Sequence, residues 1–334
     1  MLSSPDARSP TVAVLIPCLN EEVAIGKVVA DFRAALPEAT IYVYDNASTD
    51  RTAEVARAAG AVVRVEPVRG KGNVVRRMFA DVEADVYVLV DGDDTYQASA
   101  APRCVEWLIR EQLDMLNVAR VTDIDAAYRR GHRFGNVMLT SMVATLFGNR
   151  FRDILSGYRV FSRRFIKSFP ALAAGFEIET ELTVHALELR MPVAEAEASY
   201  KDRPVGSVSK LRTYSDGFRI LGTILRLLKQ ERPLLFFTAL AGLLSAIAIV
   251  LAVPIFITFH ETGLVPRLPT AVLSTGIMLL ASLSFTCGLV LDTVTRGRQE
   301  LKRLHYLSIP AVGQSSSQAR LDPTPSHSRA PSVA

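Results

Sequence analysis

Val86-Tyr87-Val88-Leu89-Val90-Asp91-Gly92-Asp93-Asp94 begins as an apolar, β-branched run and ends in three carboxylates within four residues. Such a run reads as a strand buried on both faces. A buried strand has no structural use for the acids, because unpaired carboxylates are costly to desolvate. Gly92 permits a tight turn that brings Asp91 and Asp93 towards one point. Hard divalent cations such as Mg2+ or Mn2+ take oxygen ligands, usually one or two carboxylates completed by phosphate oxygens of a substrate. Taken alone, the pattern fits an acidic turn capping the next helix as well as it fits a metal site.

Upstream, Thr11 to Pro17 is a fully apolar strand, followed by Cys18-Leu19-Asn20-Glu21-Glu22 and helical periodicity from Glu22 to Leu36. Ile41 to Tyr44 is a second strand, ending at Asp45-Asn46-Ala47-Ser48-Thr49-Asp50, where Ser48 or Thr49 can cap a helix running to Ala59. Ala61 to Val65 makes a third strand, and Gly70-Lys71-Gly72-Asn73 opens a helix through Val82. Strands alternating with helices indicate a parallel sheet covered on both faces, with ligands at the carboxyl ends of its strands. Asn20, Asp45, Gly70 to Gly72 and Asp91 to Asp94 all fall at those ends. One such cluster is a cap or a turn; four on one edge read as a nucleotide site. Glycine at 70 and 72 lets backbone approach a phosphate, with Lys71 as a point charge. Neither a Walker A loop nor a G-x-G-x-x-G fingerprint occurs, which disfavours P-loop enzymes and dinucleotide dehydrogenases.

Downstream the pattern predicts a helix around Pro102 to Glu111 and a strand around Asp114 to Val118. A basic stretch, Arg129 to Arg133, leads into an amphipathic helix near Gly135 to Gly148. Phe151 to Arg159 carries a single carboxylate, Asp153, for which an ion pair with Arg152 or Arg159 is the plain alternative to a catalytic role. Phe176-Glu177-Ile178-Glu179-Thr180-Glu181 opens a helix whose first-turn acids suit the helix dipole in any case. Tyr200 to Lys210 is a basic, glycine-containing loop, and Leu211, Tyr214, Phe218, Leu221, Leu225 and Leu228 then recur at helical spacing with basic residues between them. That pattern is a helix lying on a membrane surface.

Two uncharged apolar runs follow, of about 26 residues (Leu234 to Phe259) and about 21 residues (Ala271 to Leu291), where about 20 span a bilayer. A short turn-rich linker makes them a hairpin. Arg226, Lys229 and Arg232 precede it, Arg296, Arg298, Lys302 and Arg303 follow it, and only Arg267 lies in the linker, so both termini are expected in the cytoplasm. Met1 to Pro10 has no apolar core of the signal-peptide kind. Ala311 to Ala334, rich in Ser, Pro and Ala, is expected to be disordered. Across 334 residues, a net charge of +4 and a pI near 9.0 are too weak a bias for nucleic acid. Three scattered cysteines, Cys18, Cys104 and Cys287, form neither a disulfide framework nor a metal-ligand spacing.

In this order, IPCLNEE (16–22), YDNASTD (44–50), RGKGN (69–73), DGDD (91–94), DILSGYRVF (153–161), FEIETEL (176–182) and RPVGSVSKL (203–211) resemble glycosyltransferase family 2, in its polyprenyl-phosphate sugar synthase branch. The resemblance implies an α/β domain of the GT-A nucleotide-diphospho-sugar type over 11–206, a juxtamembrane amphipathic helix over 207–232 and two transmembrane helices within 233–295. A cytoplasmic basic segment over 296–310 and disordered ends at 1–10 and 311–334 complete the expected layout. It implies that Pro17, Asn20, Glu22 and Asp45, with Asn46, bind the nucleoside, and that Lys71 lies near the diphosphate. Asp91 and Asp93 would hold Mg2+ or Mn2+, Asp153 with Asp93 would serve transfer, and Arg203, Ser209 and Lys210 would close over phosphates. Pro204 and Val208 depart from the family pattern in that loop. The Q-x-x-R-W signature of processive synthases is absent, Trp107 being the only tryptophan, which points to single-sugar transfer. The implied partners are a UDP- or GDP-sugar, a polyprenyl phosphate acceptor and the inner-membrane bilayer, with a homo-oligomer compatible. The rival readings are a glycan or protein acceptor, or a non-catalytic membrane adaptor.

Overall fold

A computed structural model describes residues 9–121, 141, 151–175, 177–201, 222, 226 and 228–312. Strands β1 (Val12–Cys18), β2 (Thr40–Asp45), β3 (Val62–Val65) and β4 (Val86–Leu89) alternate with helices α1 (Ile25–Ala35), α2 (Thr52–Ala58) and α3 (Lys71–Asp81). Beyond β4 come α4 (Ala101–Arg110), β5 (Met115–Val121), β6 (Arg159–Ser162), α5 (Arg163–Ser168), α6 (Ile178–Glu188) and β7 (Val193–Ser199). The long helices α7 (Pro233–Thr262) and α8 (Leu268–Leu307) complete the described chain.

The strands form one seven-stranded sheet in the order β3-β2-β1-β4-β6-β5-β7. All four residues of β4 are buried, as a two-faced central strand requires. One apolar cluster on each face seals the sheet, the first around Leu15, Tyr87, Phe161 and Phe165, the second around Ile16, Val88, Phe32 and Leu108. The sheet is mixed rather than wholly parallel. β6 runs antiparallel to both β4 and β5, with Leu89 of β4 opposite Arg159 of β6. The reversal follows from where β6 starts: it enters at the carboxyl end of β4 and runs back down. The loop before it, which carries Asp153, is thereby delivered to the same rim as Asp91.

The start of α2 also departs from expectation. Neither Ser48 nor Thr49 caps it: Arg51 stands at the N-cap without a side-chain cap, and Asp50 before it accepts from the backbone N–H and hydroxyl of Thr52. Ser48 and Thr49 bond to Asn20 instead, joining two loops of the rim.

α7 and α8 pack along each other, and both are long and apolar enough to cross a membrane. Their leucines and phenylalanines, such as Leu243, Phe256 and Leu279, face outward. Gly263 closes α7 in the left-handed region at φ +68°, its N–H reaching Phe259 O at 2.8 Å. α8 does not stop at the end of its apolar run. Its 40 residues continue through the basic segment and dock on the sheet domain. Lys302 Nζ meets Glu188 Oε2 at 2.8 Å, His305 Nε2 lies 3.0 Å from Lys167 O, and the Tyr306 hydroxyl donates to Asp114 Oδ2 at 2.7 Å. Just beyond it Val312 is buried, its carbonyl accepting from Gln112 Nε2 at 3.1 Å.

Candidate active site

The carboxyl ends of β1 and β2 make one side of the rim. Pro17 lies in β1 beside Tyr44 of β2, and Asp45 follows as the last residue of that strand. Asn20 sits at φ +53°, a conformation asparagine tolerates better than most residues. Its Oδ1 accepts the Thr49 N–H at 2.8 Å, and its own N–H donates to Ser48 Oγ at 2.9 Å. The Glu22 carboxylate turns to the α2 side, accepting the Arg51 N–H at 3.0 Å. Asp45 is buried; Oδ2 accepts the Ser48 N–H at 3.3 Å, whereas Oδ1 has no donor among the described residues. A buried acceptor without a donor carries a desolvation cost that a ligand N–H can relieve.

Asn46 works differently. Its Oδ1 accepts the Gly70 N–H at 2.7 Å, and its Nδ2 donates to Glu66 O at 3.0 Å and Val68 O at 2.8 Å. Both amide hydrogens are spent within the protein, so Asn46 shapes the rim by fixing the loop before α3. The glycines of that loop have a use the sequence did not indicate. Gly70 sits at φ +129°; a Cβ there would lie 2.2 Å from Ala174 O, and one at Gly72 would lie 2.1 Å from Ala173 O. In this structure they make room for the 173–174 backbone.

Lys71, the first residue of α3, bridges two acids: Nζ is 2.5 Å from Asp91 Oδ1 and 2.6 Å from Glu179 Oε1. Burial alone would lower the Lys71 pKa, but the Asp91 and Glu179 carboxylates outweigh it and hold the ammonium above its ordinary value. Burial pushes Glu179 up, against the pull of Lys71. A Cβ at Gly157 would lie 2.2 Å from Asp91 Oδ2, so a larger residue there would displace that carboxylate. Asp93 is 4% exposed, its Oδ1 accepting from Thr95 Oγ1 at 2.6 Å. Among the described residues no group of three or more His, Cys, Asp or Glu is placed to hold a metal alone. Two neighbouring acids with a phosphate ligand supplying further oxygens suit a hard divalent cation that arrives with a nucleotide. The pair fits that chemistry.

Asp153 faces the rim from the reversed-strand side. It pairs with neither Arg152 nor Arg159: Arg120 grips it, Nε to Oδ2 at 2.7 Å and Nη2 to Oδ1 at 2.9 Å. Arg159 is fully buried and donates to Ile154 O at 2.6 Å, Ser156 O at 3.1 Å and Thr183 Oγ1 at 2.9 Å, with burial bringing its pKa down to about 10. It is the inner staple of the 153–157 loop. Tyr96 holds the outer side, its hydroxyl accepting the Gly157 N–H at 2.9 Å. Arg203, Ser209 and Lys210 lie outside the described residues. Sequence reading missed Arg120, Glu179, Tyr96 and Gly157. Only Glu179 carried a signal, as a carboxylate in the charge-alternating FEIETEL run.

Residues 13–170 match the family described as glycosyl transferase family 2. The glycosyltransferase AglJ of Haloferax volcanii is 31% identical over 309 residues, covering 92% of this chain and 100% of AglJ. The chain belongs to glycosyltransferase family 2. Among other members of the family, the dolichyl-phosphate hexose transferase of the same organism is 28% identical over 221 residues, covering 66% of this chain and 95% of that protein. Glucosyl-3-phosphoglycerate synthase of Mycobacterium tuberculosis, solved with Mn2+, uridine diphosphate and phosphoglyceric acid, is 25% identical. Its TM-score is 0.53, over 66% of this chain and 78% of that one. The sheet domain is thus of the GT-A type, and this family 2 member is a glycosyltransferase.

Proposed function

We propose that the protein moves one sugar from a nucleotide diphosphate donor to the phosphate of a membrane polyprenol, with inversion at the anomeric carbon. The observation that carries this reading is the direct fusion of the sheet domain to an apolar hairpin, α8 running from the apolar span onto that domain. A relative named for dolichyl-phosphate transfer and a neighbour complexed with uridine diphosphate and Mn2+ support it. The basic residues that flank the hairpin, against a single Arg267 in its linker, support a cytoplasmic catalytic domain and a multi-pass anchor.

Asp45 Oδ1 would accept the ring N–H of the base, in a pocket whose walls the Asn20–Thr49 latch and the Asn46 clamp hold in place. Asp91 and Asp93 would hold Mg2+ or Mn2+, which when bound neutralises charge on the leaving diphosphate as a Lewis acid. Lys71 adds a fixed positive charge beside them. The acceptor needs no strong base, because a monoalkyl phosphate with a second pKa of about 6 is already a dianion near neutral pH. Asp153, committed to Arg120 through both oxygens, accordingly serves to position the wall of the cleft and takes no proton.

The test is a panel of radiolabelled UDP- and GDP-sugars offered with polyprenyl phosphate to the purified full-length protein in detergent. Label in an organic-extractable, mild-acid-labile lipid is the expected outcome. Label confined to water-soluble glycan or to protein would overturn the acceptor, and no turnover of any donor would overturn transfer itself.

A further inference from the structure

We propose that Glu179 is a positioning residue of the donor site: it retains the Lys71 ammonium when Asp91 exchanges that ammonium for a divalent cation. The inference rests on the reading of Asp91 and Asp93 as metal ligands.

Three features converge on this role. First, Lys71 Nζ is in hydrogen-bonding reach of both acids at once, 2.5 Å from Asp91 and 2.6 Å from Glu179. Second, the two acids differ in surroundings: the Asp91 side chain is 29% exposed at the rim, the Glu179 side chain 8% exposed behind it. The rim acid can meet a ligand; the inner one cannot leave. Third, Glu179 stands on a helix fixed at its far end, where Glu188 of α6 pairs with Lys302 of α8. Gly157 brings no side chain to the other side of Asp91, where a Cβ would crowd the carboxylate. An ammonium held by Asp91 alone would compete directly with an incoming cation for the same oxygens. Glu179 weakens that competition by sharing the ammonium. It also keeps the charge of Lys71 at the diphosphate once Asp91 is released.

The experiment measures Mn2+ affinity of the full-length protein in detergent, without nucleotide and with UDP, for the parent, E179Q, K71M and the double variant. E179Q should bind Mn2+ about tenfold more weakly, the scale of losses for groups that orient a metal ligand. K71M should bind Mn2+ more tightly without nucleotide yet lose affinity for UDP. The double variant should recover the Mn2+ affinity that E179Q loses. Parent-like Mn2+ affinity in a folded E179Q protein, or a double variant as weak as E179Q, overturns the role of Glu179. If E179Q does not fold, K71M alone decides: unchanged or weaker Mn2+ binding overturns the exchange. A parent that binds no Mn2+ with or without UDP overturns the metal reading itself, a result distinct from the others.

Discussion

Arg120 and Asp153 form a two-pronged ion pair across the rim of the sheet, with side chains 16% and 9% exposed. A pair this enclosed is destabilising to break from one side, because the remaining charge stays in the protein. Asp153→Asn should therefore lower unfolding free energy by about 3 kcal/mol and reduce turnover. Arg120→Gln should reduce turnover in step with it, and the double variant should lose little more than either single. Denaturant melts and initial rates on the four proteins check this; additive losses would restore an independent catalytic role to Asp153.

Gly157→Ala would place a methyl group into the Asp91 carboxylate. The expected result is a Mn2+ requirement raised at least about tenfold, with the melting temperature nearly unchanged. Metal titration of activity, read beside a thermal melt, separates the two effects.

His185 gives the fold an acid limit. Burial, then the charge of Lys302, lowers its pKa from 6.5 to about 3. A depressed folded-state value means that its contribution is complete above pH 6.5 and is lost as pH falls through about 3. Unfolding free energy should decline by up to about 1.4 kcal/mol per pH unit inside that window. His185→Leu should flatten that slope, and melts at stepped pH measure it.

Tyr306→Phe removes the hydroxyl that α8 offers to the fully buried Asp114, whose other partners are Ser162 and Arg164. A loss of about 1.5–3 kcal/mol is expected, as for a hydrogen bond to a charged group. Urea unfolding followed by near-UV circular dichroism checks it.

Local chemistry announced itself in the sequence. The strand ending at Asp91, the alternation of β1 to β4 with helices, the rim acids and the apolar hairpin all follow from composition within a dozen residues or so of one another. What lay hidden depends on contacts between distant segments. Nothing near Glu179 says that Lys71 will meet it, and nothing in Met115 to Val121 marks Arg120 as the partner of Asp153. The reversal of β6 is likewise a matter of which edge the chain returns to, which no residue of β6 encodes. Gly70 and Gly72 were visible as glycines, but their neighbour, the 173–174 backbone, was not. The basic residues after Leu291 read as a separate segment because charge normally ends an apolar helix; here the carboxylates of the sheet domain receive it.

At about 1.5 Å per residue the 40 residues of α8 measure about 60 Å, roughly twice the hydrocarbon thickness of a bilayer. A single stiff mast of that length would set both the height and the heading of the cleft above the lipid surface. Substrates confined to the membrane would then reach it by sideways diffusion in two dimensions, with no search by the enzyme. Replacing the hairpin with a floppy tether of equal greasiness should keep the protein on the vesicle and still starve it of acceptor.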